Sequence, residues 1–133
     1  MKSTRITFGT PTDVTNSGDD SRSFLFPFAC VDLDLVGSPE ETRFTSEHRL
    51  IVTVANDRLP AWNYSDADLL KVLFEIGHRT VAANVKAGTL QREVRVRVHC
   101  GTHSRERPYD PARIIEPGGA VFVVEEKRRI GFN

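Results

Sequence analysis

The chain has 133 residues, 39% hydrophobic and 27% charged, with a formal net charge of zero. That composition excludes a disulfide-stapled framework, no repeat or low-complexity tract is present, and the size suits one domain around one hydrophobic core. The two cysteines, Cys30 and Cys100, are expected as thiols in a reducing compartment. Residues 1–8 contain no apolar signal-peptide core, and no run approaches the roughly 18 apolar residues of a membrane span. The expectation is a cytoplasmic protein with no membrane partner.

Charge is unevenly distributed along the chain. Residues 1–77 hold 7 Lys/Arg against 12 Asp/Glu, and residues 78–133 hold 11 against 6. Such a division marks either a basic binding surface or two halves that interleave in one sheet.

In chain order, Ser3 to Phe8 reads as a short strand. Residues 9–23 are rich in Gly, Asn, Asp and Ser and read as a long mobile loop. The acidic spacing there does not fit a twelve-residue calcium loop. Phe24 to Val36 is a second strand. Alternation would place Leu25, Ala29, Val31, Leu33 and Leu35 on one face and Phe24, Phe26, Phe28, Cys30, Asp32 and Asp34 on the other. Pro27 cannot donate to a ladder, so a bulge or a sheet edge is expected there. Thr42 to Asn56 reads as a β-branched third strand, antiparallel to the second.

A helix follows. Ser65 is a good N-cap, Asp66 and Asp68 complement the dipole in the first turn, and Gly88 suits a left-handed C-cap after Lys86. Leu69, Val72, Leu73, Ile76 and Thr80 recur at helical spacing, with Leu70, Phe74 and Val81 broadening the apolar side. Gly77 in mid-helix costs about 1 kcal/mol against alanine, so close approach of a sheet or of a second helix is expected there. Arg92 to Cys100 alternates strictly as a strand. Residues 101–113 read as a polar loop, Ile114-Ile115 as the start of a strand, and Ala120 to Val124 as a last buried strand.

The expected fold is therefore α+β: a mostly antiparallel sheet of about five strands, in the order β-β-β-α-β-β, with one long helix on one face. One helix covers only part of such a sheet. The rest of the surface must be polar or must bury itself against another chain.

Three groups of residues could carry chemistry. His99, Cys100 and His103 offer imidazole and thiolate ligands at a strand end, a zinc site if Cys30 or His78 completes it. Strand alternation sends His99 and Cys100 to opposite faces, which argues against that site. Asp32 and Asp34 share a face and would bind a cation or form a charge ladder opposite Arg95 and Arg97. Arg92, Arg95, Arg97, Arg105 and Arg107, with Tyr109 or exposed Phe24, Phe26 and Phe28 as stacking rings, would bind nucleic acid. His78 is a candidate general base. The sequence holds no nucleophile elbow, phosphate loop, dinucleotide fingerprint or zinc-protease helix. The leading expectation is a non-catalytic binding or structural module without cofactor, working as a homodimer. The alternatives are a nucleic-acid-associated protein using a basic sheet face and a metal-dependent hydrolase or zinc-stabilised domain.

Overall fold

The computed structural model describes residues 3–16, 18, 20–33, 45–55, 64–98 and 110–125. Strands β1 (Ser3–Phe8), β2 (Thr12–Asp13), β3 (Ser21–Asp32), β4 (Thr45–Ala55), β5 (Glu93–Val98) and β6 (Val121–Glu125) form one sheet in the order β5-β4-β3-β1-β6, with β2 beside β3. Helix α1 (Asp66–Ala87) packs on one face. All pairs are antiparallel except β4 with β5, which the helical crossover makes parallel. The expected α+β class and the order of elements along the chain hold, with β2 added. The strands of the basic half, β5 and β6, flank those of the acidic half on both sides.

β3 is the axis of the sheet. Its ladder with β4 runs without a break from Ser21↔Ala55 to Val31↔Thr45. The discontinuity expected at Pro27 lies on its other side. β1 ends at Phe8↔Phe28, and β2 resumes at Thr12↔Leu25, one residue out of register. Gly9 N–H bridges the step by donating to Pro27 C=O at 2.8 Å. Arg49, the partner of Pro27, turns its N–H to the C=O of Arg92, just before β5, at 2.9 Å, so the missing Pro27 donor would have faced this step. Proline therefore sits in a central strand at the one place where the neighbouring ladder is interrupted. Residues 9–23, expected as loop, thus contain β2 and the first turn-side residues of β3.

The core lies between α1 and the even-numbered face of β3. Phe24, Phe26, Phe28 and Cys30 are buried there, with Ile6, Phe8, Leu50, Val52 and Val54. The helix contributes Leu69, Val72, Leu73, Phe74, Gly77, Val81 and Val85. Every fourth position from 69 to 85 points at the sheet. Phe74 meets Phe8 edge-on at 4.8 Å and Phe26 at 5.4 Å. Ser65 Oγ accepts from Asp68 N–H at 3.2 Å, and Gly88 takes φ 70° at the other end. Gly77 is the point of closest approach, and the approaching element is a sheet. A Cβ there would meet Val52 Cγ2 at 2.6 Å and a Leu50 methyl at 3.0 Å.

Arg22 fastens the start of the helix to the sheet. Its guanidinium bonds Asp66 at 2.7 Å and Asp13 of β2 at 3.2 Å, and lies 5.0 Å over the Phe24 ring. Bonds from the Thr15 hydroxyl and N–H, helped by Arg22, hold the Asp13 carboxyl below its usual range.

Two expected features differ from the fold. Ile114-Ile115 does not begin a strand. Asp110 Oδ1 instead caps a 3-10 turn at Pro111–Arg113, and the chain bends after it. The last strand is not buried on both faces: it begins at Val121 and is an edge among the described residues. Pro117, Gly118 and Gly119 turn the chain into it. Gly119, at φ 87°, donates to Phe8 C=O while Phe8 N–H donates to Ala120 C=O, so two residues oppose one in a glycine bulge.

Candidate functional site

Several sequence candidates, namely His99, Cys100, His103, Arg105, Arg107, Asp34 and Tyr109, lie outside the described residues. Among the described residues no three His, Cys, Asp or Glu side chains come together. Cys30 is a free thiol in the core, and burial pushes it up to about 11.

The proposed ladder of Asp32 against Arg95 and Arg97 does not form. Asp32, on β3 two strands from β5, pairs with Thr4 of β1 and lies on the helix-side face, whereas Arg95 and Arg97 project from the opposite face. Local alternation was right, but the partner strand was not readable from it.

Arg95 and Arg97 are exposed on the helix-free face, and Arg92 precedes β5. Glu93 accepts from Arg95 at 2.8 Å and from Arg49 of β4 at 3.0 Å. The Arg95 bond foremost holds the Glu93 carboxyl below its usual range. Phe24, Phe26 and Phe28 are buried under α1 and cannot act as stacking rings beside these arginines.

Two histidines are held in place. His78 Nε2 lies 3.1 Å from Glu75 Oε2, and its ring stacks on Phe122 of β6 at 4.6 Å. Burial opposes ionisation of Glu75, but bonds from Arg79 and His78 outweigh it and keep that carboxyl below its usual range. His48 stacks on Phe28, its cross-strand partner, at 5.1 Å. Its Nδ1 lies 2.8 Å from Gln91 C=O and its Nε2 2.7 Å from Ser46 Oγ. A carbonyl only accepts, so Nδ1 carries a proton, and in the neutral ring Nε2 accepts from the hydroxyl. This is the polarity in which a base activates a serine. Beside it lies an open cavity of about 790 Å³, walled by Phe8, Pro27, Phe28, His48, Arg49 and Arg92 among others. Ser46 is not part of that wall. His48, through its bond to Gln91 C=O, locks β4 to the loop before β5. The Ser-x-His spacing, which puts both side chains on one strand face, was the signal available for the pair.

The most distinctive exposed surface is at β6. Val121 is 49% exposed and Val123 61%. Both project from the helix-free face, facing Thr7 and Arg5 of β1, with Ala29 and Val31 of β3 in the next rows. The sequence reading missed them, because five consecutive apolar residues look the same in a buried strand and in an edge strand. The charged run that follows, Glu125-Glu126-Lys127-Arg128-Arg129, was the available hint that the strand borders solvent.

Compared with protein-family models, with curated proteins and with solved structures, the chain matches none of them. No helix among the described residues is long and apolar enough to cross a membrane.

Proposed function

We propose that this chain is an interaction module that works by self-association, without a catalytic activity of its own. The observation that supports this is the pair Val121 and Val123, exposed on the helix-free face of a strand that is an edge among the described residues. Large apolar side chains scattered singly on a surface are ordinary. Here two lie on one strand face, beside the half-buried Ala29 and Val31, on a strand that carries no lysine or proline to blunt its edge. A second copy of the chain is the simplest cover for such a surface. Light scattering on a sizing column, read at protein and nucleic-acid wavelengths, tests the reading. A concentration-dependent dimer free of nucleic acid is expected, and a monomer at tens of micromolar would overturn it.

A second reading is favoured by one observation. Arg92, Arg95 and Arg97 lie at the opposite edge, and Glu93, shared by Arg95 and Arg49, is the carboxylate bonded there among the described residues. That surplus of cations suits a phosphate backbone. Binding to mixed oligonucleotides that falls steeply with salt, and is lost in Arg95→Glu with Arg97→Glu, would establish it.

A further inference from the structure

We propose that two copies of this chain join β6 to β6 antiparallel, across a two-fold axis at Val123, so that both sheets continue into one. This rests on the self-association reading above and names its partner and register.

The backbone alternation carries the register. Phe8 N–H donates to Ala120 C=O at 2.8 Å, so Ala120 turns its carbonyl toward β1. In an antiparallel pair every second residue bonds the same neighbour, so Phe122, opposite Ile6, and Val124, opposite Thr4, do likewise. The N–H and C=O groups of Val121, Val123 and Glu125 therefore point away from β1, to the edge that is unpaired among the described residues. A two-fold at Val123 pairs Val123 with its own copy and Val121 with Glu125. Every residue so paired is one with outward-facing groups. Six hydrogen bonds close, two at the axis and two at each flank, without a slip or a bulge. A register that set odd positions against even ones would oppose outward groups to inward ones.

The side chains agree with the backbone. On the helix-free face the pairing brings the four valines of two protomers side by side, and Glu125 meets Val121, never another Glu125. On the helix side Phe122 comes opposite Val124. The same operation at β5 would bring no apolar side chains together on the helix-free face: it sets Arg95 against its own copy, which is unfavourable, and Glu93 against Arg97.

The test is cross-linking in the full chain with Val123→Cys, in a Cys100→Ser background, Cys30 being buried. Hydrogen-bonded antiparallel partners have Cα atoms about 5.5 Å apart, within the roughly 4.4–6.8 Å that a disulfide spans. Mild oxidation is expected to give a covalent dimer from Val123→Cys and none from Arg95→Cys. Val123→Pro supplies the second arm. It deletes an N–H that faces away from β1, so far-UV circular dichroism should be unchanged while the dimer weakens about tenfold or more. A wild-type dimer whose Val123→Cys variant does not cross-link overturns the register and leaves self-association standing. A wild-type monomer overturns both.

Discussion

At β5 the helix-free face carries Glu93, Arg95 and Arg97; at β6 it carries Val121, Val123 and Glu125. Beneath those faces the contrast reverses. β5 meets the helix layer with Val94, Val96 and Val98, of which Val96 is only half-buried. β6 meets it with Phe122, stacked on His78 at 4.6 Å and edge-on to Phe8 at 6.0 Å. One edge is charged outside and aliphatic inside. The other is apolar outside and aromatic inside. A strand edge is a template for another strand, and alternating charge is a standard means of blunting it. That means is present at β5 and missing along most of β6.

The largest expected effect is on the inner anchor. Phe122→Ala should cost about 2–3 kcal/mol, near the low end for a phenylalanine because the ring is half-buried. Val96→Ala at the opposite edge should cost about 1 kcal/mol. Urea melts of the two variants check this, and equal losses would remove the asymmetry. The next test exchanges the outer chemistry. Val121→Lys with Val123→Lys gives β6 the character of β5 and should weaken dimerisation by about 100-fold, or about 2.7 kcal/mol, with little change in the monomer's melt. The readout is sedimentation at several concentrations. The reciprocal Arg95→Val with Arg97→Val should create new association through β5.

Gly77→Ala asks which side of the sheet the helix leans on. Helix propensity favours alanine by about 1 kcal/mol, but the added Cβ would sit 2.6 Å from a stiff β-branched methyl of Val52. Overpacking of that kind costs about 1–3 kcal/mol, so a net loss of up to about 2 kcal/mol is expected, with faster amide exchange in β5 than in β6. Val52→Ala in the same chain should recover part of it. A stabilised single variant would show that the helix rises freely.

Acid gives the smallest effect. Glu75 and Glu93 have folded-state carboxyls below their ordinary value of 4.5. Each therefore stabilises the fold fully above that pH and loses its contribution as pH falls through the lower, folded value. Glu75→Gln should flatten the acid limb of the stability curve by about 0.5 kcal/mol or less. Glu93→Gln should flatten it less, because its carboxylate stays in water. Thermal melts between pH 3 and 7 distinguish them.

The locally encoded parts of this fold were legible. Ser65 and Gly88 cap the helix because each supplies what one helix end lacks, and β1 spans the expected Ser3–Phe8. Gly77 also reported its close neighbour, since a glycine in mid-helix has few other uses. What depended on strand order was not legible. Both faces of β3 are largely apolar, so alternation alone could not say that Phe24, Phe26 and Phe28, and not Leu25, Ala29 and Val31, lie under the helix. Nor could it say that Asp32 would stand beside Thr4, or that β4 and β5 run parallel. The candidate surface was hidden for the same reason: Val121 and Val123 become exposed only because β6 is placed last in the sheet.

The seat of Gly77 on β4 limits how the two layers can move. Packed layers commonly shear, one sliding past the other along an axis. Here a Val52 methyl occupies the space a side chain would take, and translation of the helix along its axis would drive the flanking Leu73 or Val81 into it. Rotation about that contact leaves the glycine seated against the methyl. Strain imposed at one edge of the sheet would therefore reach the other as a tilt of the helix about a fixed fulcrum, with the helix ends travelling furthest and its middle standing still.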